Sequence, residues 1–192
     1  MTGLLAIVLA GGQSQRLGRD KLAEIVAGVP LLDRVLDAIP EGEIVCVGEP
    51  RPTSRQVFWT REQPPGAGPC AGVMAGLRAV DQREARIALV MAGDHPFLGL
   101  LPARLAAAAR EEHIDAAVAC DSEGYRHPLL AAYRIDALHR ARDRIGDARG
   151  LPAKALLDGL RLALIAADAR ESMDCDDEQA LSKAREVADG AS

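Results

Sequence analysis

Three cations and a glycine pair crowd into one polar stretch near the start of the chain, Gly11-Gly12-Gln13-Ser14-Gln15-Arg16-Leu17-Gly18-Arg19-Asp20-Lys21. Glycine lets a backbone turn sharply and lets a ligand approach the main chain closely. Exposed N–H groups beside Arg16, Arg19 and Lys21 make an anion site, and the anion that fits best is a nucleoside triphosphate. The two familiar phosphate loops do not match. A dinucleotide fingerprint needs G-x-G-x-x-G, whereas the next glycine here is Gly18, and a P-loop needs G-K-[ST], whereas Lys21 is followed by Leu22. The alternative reading is a tight turn whose charges face water.

Other residues could share the chemistry. Asp94 lies in Gly93-Asp94-His95-Pro96-Phe97, directly after the apolar run Ile87 to Ala92. An acid there is either a turn former or a group facing a ligand. His95 beside it reads as a local hydrogen bonder. Glu62 and Gly66-Ala67-Gly68-Pro69-Cys70-Ala71-Gly72 form a rigid loop that runs into a helix, with Pro69 suited to its first turn. His127-Pro128 precedes a strand, Arg149 and Lys154 follow a basic helix, and Ser172 to Glu178 places acids where a terminal helix begins. Each of these also has an ordinary structural explanation. The four histidines show no metal-binding spacing, and Cys46, Cys70, Cys120 and Cys175 form no C-x-x-C pair, which favours buried free thiols.

The elements that must position these residues alternate along the chain. Short apolar runs bounded by turns predict strands at Leu5–Leu9, Ile44–Val47, Val57–Thr60, Ile87–Ala92, Asp115–Cys120, Tyr125–Tyr133 and Leu160–Ala166. A brief extended piece is expected at Leu22–Val26. Helices are expected over Leu31–Ile39, from Pro69, over Leu101–Glu112, over Ile135–Arg144 and after Ser172. That alternation implies an α/β fold, a Rossmann-like three-layer α/β/α arrangement with a mostly parallel central sheet. In such a sheet ligands collect at the carboxyl ends of the strands. The glycine turn, the Glu62 to Gly72 loop and Asp94 all follow strands. With 192 residues the chain suits a single domain (1–192), its nucleotide-binding half near 1–100 and its acceptor-binding half near 101–192. Aromatics make up only 3% of it, so the core must rest on Ala, Leu, Val and Ile. A net charge of −5 argues against nucleic acid and anionic membrane as partners. The apolar start has no basic leader and is too short to span a bilayer, which points to a cytoplasmic protein.

The stretch Leu9-Ala10-Gly11-Gly12, with Ser14, Arg16, Gly18 and Asp20-Lys21, resembles the signature loop of the MobA-like nucleotidyltransferases, especially the molybdenum cofactor guanylyltransferases. Gly68-Pro69-Cys70-Ala71-Gly72 is similar to that family's G-P-L-A-G segment beside the base and ribose pocket, with cysteine for leucine. Asp94 and Pro96 resemble its D-x-P motif, whose aspartate holds Mg2+. Asp174, in Ser172-Met173-Asp174-Cys175-Asp176, stands in a motif that usually reads N/D-x-N/D-T-P, and it is a candidate second metal ligand; Cys175 and Asp176 depart from the pattern. The resemblance also implies that Leu9, Ala10, Gly11, Gly12, Lys21, Glu62, Gly68, Pro69, Gly72 and Asp94 bind nucleotide. His127, Arg149 and Lys154 would meet the acceptor.

The implied reaction is transfer of GMP from GTP to the phosphate of a molybdopterin-type cofactor, with loss of pyrophosphate. The acceptor is its own nucleophile, so the protein supplies positioning and charge, from Arg16, Lys21 and Asp94 as catalytic residues. Gly11-Gly12 and Gly68-Pro69 side with guanine, because the related cytidylyltransferases tend to L-A-A-G and P-P-L-A-G. Val47 stands where one type of relative has an asparagine. The alternatives are transfer with CTP or to a sugar phosphate, and a catalytically silent carrier of nucleotide or cofactor. The resemblance further suggests a client molybdoenzyme or its chaperone as partner.

Overall fold

The computed structural model describes residues 3–11, 20–79 and 85–190. Its main element is a seven-stranded sheet. The strands, in chain order, are β1 (Leu4–Leu9), β2 (Ile25–Val26), β3 (Val29–Pro30), β4 (Glu43–Val47), β5 (Phe58–Thr60), β6 (Ile87–Ala92), β7 (Ala116–Cys120), β8 (Arg126–Arg134) and β9 (Leu162–Ala166). Strands β2 and β3 form a separate small hairpin, and the others lie in the spatial order β5-β4-β1-β6-β8-β7-β9. Neighbours in the large sheet are parallel except at β8, which runs antiparallel to β6 and β7.

Five α-helices complete the described architecture: α1 (Leu31–Ala38), α2 (Pro69–Arg78), α3 (Leu101–Ala108), α4 (Ile135–Ile145) and α5 (Glu178–Asp189). Successive strand residues point to opposite faces, and the core divides accordingly. Leu4, Ala6 and Val8 of β1 pack with Val35 of α1 and Leu105 of α3. Leu5 and Ile7 pack on the other face with Val73 of α2 and Leu138 of α4. These are the three layers expected from the alternation. Helix α5 covers the small hairpin instead, burying Leu181 and Ala184 with Val26, Leu31 and Cys175.

Several boundaries differ from expectation. Lys21–Ala23 is a 3-10 turn rather than extended chain, with the Asp20 carboxylate accepting from Leu22 N at 3.2 Å. The Ala-rich α3 stops at Ala108, because the chain there tightens into turns. Three cysteines are buried as anticipated, while Cys120 is partly exposed. Away from the strands' carboxyl edge, buried Asp115 accepts from Arg161 Nε at 2.9 Å and from Arg140 at 2.7 Å, pinning α4 to the start of β9.

Small residues let α2 lie close on the sheet. A methyl group on Gly76 would stand 2.4 Å from Ile7 Cγ2, and one on Gly72 3.1 Å from Leu9 Cδ2. Ile7 is fully buried and β-branched, so it has nowhere to move. Gly76→Val is therefore expected to destabilise the protein by about 1–3 kcal/mol through overpacking, despite valine's better helix propensity. Denaturant unfolding measures this, and an unchanged midpoint would contradict the close approach.

Candidate active site

Register brings the loops that follow β1, β4 and β6 to one level. Leu9 is paired with both Val47 and Ala92. Beyond them, Ala10 N donates to Val47 O at 2.9 Å and Gly93 N donates to Leu9 O at 3.0 Å. The backbones press together here: a Cβ on Gly48 would lie 2.5 Å from the Ala10 carbonyl oxygen, leaving room for glycine alone. Gly11 is exposed at this edge. Gly12 and Arg16 lie outside the described residues.

The centre of the site is an ammonium ion between two carboxylates. Lys21 Nζ is 2.7 Å from Asp94 Oδ2 and 2.7 Å from Asp176 Oδ1. The other Asp94 oxygen is 2.9 Å from His95 Nδ1, and the Asp94 backbone carbonyl accepts from Cys175 N at 3.1 Å. The Lys21 and Asp94 side chains are 16% and 18% exposed, so both charges are largely withdrawn from water. Burial pushes the Asp94 carboxyl up, but the His95 hydrogen bond and the Lys21 charge outweigh it and hold the group well below the usual carboxylate range. Burial likewise works against the Lys21 charge, yet the two carboxylates raise its pKa above the ordinary lysine value. Asp174 is pushed up, first by burial and then by the neighbouring charge of Asp176, with Asp94 adding to it.

The donor set suits magnesium. Three carboxylates, Asp94, Asp174 and Asp176, influence one another beside one lysine, and hard oxygen ligands are what that ion prefers. Among the described residues no three metal-binding side chains converge tightly enough to enclose an ion unaided. Magnesium sites with one or two carboxylates, completed by water and phosphate oxygens, have that character.

The remaining candidates have varied surroundings. Gly68, at φ +98°, is the residue before Pro69 and α2, and it packs against Gly150 and Leu151. Gly150 N donates to Ala67 O at 2.8 Å, which joins the Arg149 loop to the Gly68-Pro69 segment. Arg149 itself is exposed and paired with Asp147 at 2.5 Å. Lys154 is exposed in a 3-10 turn, Ala153–Leu157. Glu62 accepts from Gly66 N at 2.9 Å within its own loop. His127 Nε2 is 3.1 Å from Asp121 Oδ2. The absence of a side chain at Gly72 is accounted for by its contact with Leu9.

Two residues were not found from sequence. Arg51 donates to the Ala10 carbonyl at 3.2 Å and also pairs with the Asp20 carboxylate, so one guanidinium bridges residues at both feet of the glycine turn. Asp176 is a further partner of Lys21. In sequence it stood only as a departure from a motif, and the acids around it carried the ordinary signature of a helix start. Contacts 41 and 155 residues apart leave no local signal.

Comparison with known proteins bears on the family and the fold. The family profile of the MobA-like NTP transferase domain matches residues 6–165. A Rhodobacter capsulatus protein named molybdenum cofactor guanylyltransferase is 36% identical over 153 residues, 73% of this chain and 77% of that protein. A Mycobacterium tuberculosis protein named probable molybdenum cofactor guanylyltransferase is 34% identical over 176 residues, 87% of this chain and 86% of its own. Among solved structures, molybdopterin-guanine dinucleotide biosynthesis protein A from Archaeoglobus fulgidus superposes with a TM-score of 0.72 at 20% identity, covering 97% of this chain and 99% of that one. The 2-C-methyl-D-erythritol 4-phosphate cytidylyltransferase from Thermus thermophilus gives 0.72 at 20% identity, covering 98% and 100%. At such identity these two structures speak for the fold.

The depressed Asp94 carboxyl has a signature in pH. It is more acidic folded than unfolded, so its stabilising charge is complete above the unfolded value of about 3.9 and is lost as pH falls below it. The difference in unfolding free energy between wild type and Asp94→Asn is therefore expected to be flat from about pH 7 to 9 and to shrink below about pH 4. Denaturant titrations across that range check it, and a difference that stays constant through the acid range contradicts the assignment.

Proposed function

The chain belongs to the MobA-like NTP transferase family, and from that premise we propose that it is a molybdenum cofactor guanylyltransferase. It would transfer GMP from GTP to the phosphate of a molybdopterin-type cofactor and release pyrophosphate. The observation that carries this reading is the Lys21–Asp94 pair, 2.7 Å apart where the 3-10 turn at Lys21 meets the end of β6. A cation and a metal-seeking carboxylate side by side are what a magnesium-bound triphosphate requires. The similarly named relatives, at 34–36% identity, support the choice of guanine and of a molybdopterin acceptor.

In this mechanism no side chain forms a covalent bond. An oxygen of the acceptor phosphate attacks the α-phosphorus in line, and the bond to the β-phosphate oxygen breaks. Lys21 neutralises charge on the α-phosphate, while Arg16 is assigned to the β- and γ-phosphates. Asp94 and Asp174 would hold the magnesium ion, whose charge offsets that of the triphosphate and of the departing pyrophosphate. His95 keeps the Asp94 carboxylate aimed through its 2.9 Å contact. Glu62 and the Gly68-Pro69 segment are assigned to the base and ribose, and His127, Arg149 and Lys154 to the acceptor. The tie between Gly150 and Ala67 supports this arrangement by keeping the Arg149 loop beside the Gly68-Pro69 segment.

Purified protein with magnesium, molybdopterin and either GTP or CTP tests the proposal by pyrophosphate release. Turnover is expected with GTP. Preference for CTP, or nucleotide binding without turnover, would overturn it. Lys21→Ala and Asp94→Ala are each expected to lower kcat by ~10²–10³ while still unfolding cooperatively. Near-wild-type rates in either variant would remove these residues from the mechanism.

A further inference from the structure

The two carboxylates on Lys21 are not equivalent. Asp94 is enclosed, its second oxygen engaged by His95 and its backbone carbonyl by Cys175 N. The Asp176 side chain is 60% exposed and approaches Lys21 from the solvent side. Its backbone, however, is anchored on both sides. Cys175 is fully buried among Val26, Leu31, Leu181 and Ala184, and Asp177 caps α5 by accepting from Ala180 N at 2.8 Å. A short side chain is thus held by a fixed ledge over the one lysine that the proposed reaction assigns to the α-phosphate.

We propose that Asp176 is an internal anion that occupies Lys21 in the nucleotide-free protein and is displaced from it by the incoming triphosphate. This rests on the reading of the site as a nucleoside triphosphate site. A triphosphate brings several negative charges to a corner where Asp94, Asp174 and Asp176 already crowd one another. Of the two acids touching Lys21, the exposed one gives way at least cost, because water takes over its solvation. Asp176 is therefore a positioning residue. It keeps the ammonium pointed at the phosphate seat while the seat is empty, and it weakens nucleotide binding by competing for that ammonium.

Equilibrium dialysis with GTP in magnesium-containing buffer, without acceptor, tests this on wild type, Asp176→Asn, Lys21→Met and the double variant. Competition through an exposed ion pair predicts that Asp176→Asn binds GTP about two- to fivefold more tightly than wild type. The gain should vanish when Lys21→Met is already present. A merely structural role for Asp176 would lower affinity instead. Unchanged or weaker binding by Asp176→Asn overturns the inference, as does an equal gain with and without Lys21, which would mean bulk charge alone. No detectable GTP binding by wild type and Asp176→Asn alike overturns the nucleotide reading and this inference with it, a result distinct from equal, measurable affinities.

Discussion

An ammonium ion largely withdrawn from water must be compensated, and the way Lys21 is compensated organises this molecule. Burial opposes the charge on Lys21 and on Asp94, yet their attraction, with help from His95 and Asp176, prevails for both: the lysine is held more basic and the aspartate more acidic than in water. The partners come from the turn after β1, the turn after β6 and the segment before α5. β1 and β6 are neighbours that end at the same level, which brings two of these segments together, and the third is tied in by the bond from Cys175 N to the Asp94 carbonyl. The Leu9 pairings with Val47 and Ala92 provide that level. The sheet is thus the instrument that holds the charges in place.

Much of this was legible in the residues themselves. Apolar runs with turn residues at both ends marked the strands, since a strand buried on both faces has no polar side. Asp94 was legible as an acid at the end of one such run, and Pro69 as a helix start. The reversal at β8 is harder to read. Asp121-Ser122-Glu123-Gly124 is a run of turn-forming residues, but which neighbours the next strand chooses depends on the whole sheet. The 3-10 turn at Lys21 is likewise set by Asp20 capping Leu22 N rather than by any apolar pattern. Arg51 sits in a polar, proline-rich loop and looks like any solvated cation until the fold brings it to Ala10 and Asp20.

The helix α2 shows how packing and the site share the same residues. Gly72 and Gly76 have no side chains because the sheet is too close for them, and that closeness seats the start of the helix beside the strand ends. A glycine in such a segment reads equally as a ligand contact or as a packing contact. In Gly72 the packing is visible, against Leu9 and Val47.

The contact between Lys21 and Asp176 also imposes an order on biosynthesis. Its two halves are 155 residues apart. A growing polypeptide can lay down β1, β4, β5 and β6 early, but the corner stays unfinished until residue 176 has emerged. Cys175 then needs Leu181 and Ala184 beside it to be buried. The corner is thus completed only after every strand of the sheet, β9 included, has been made.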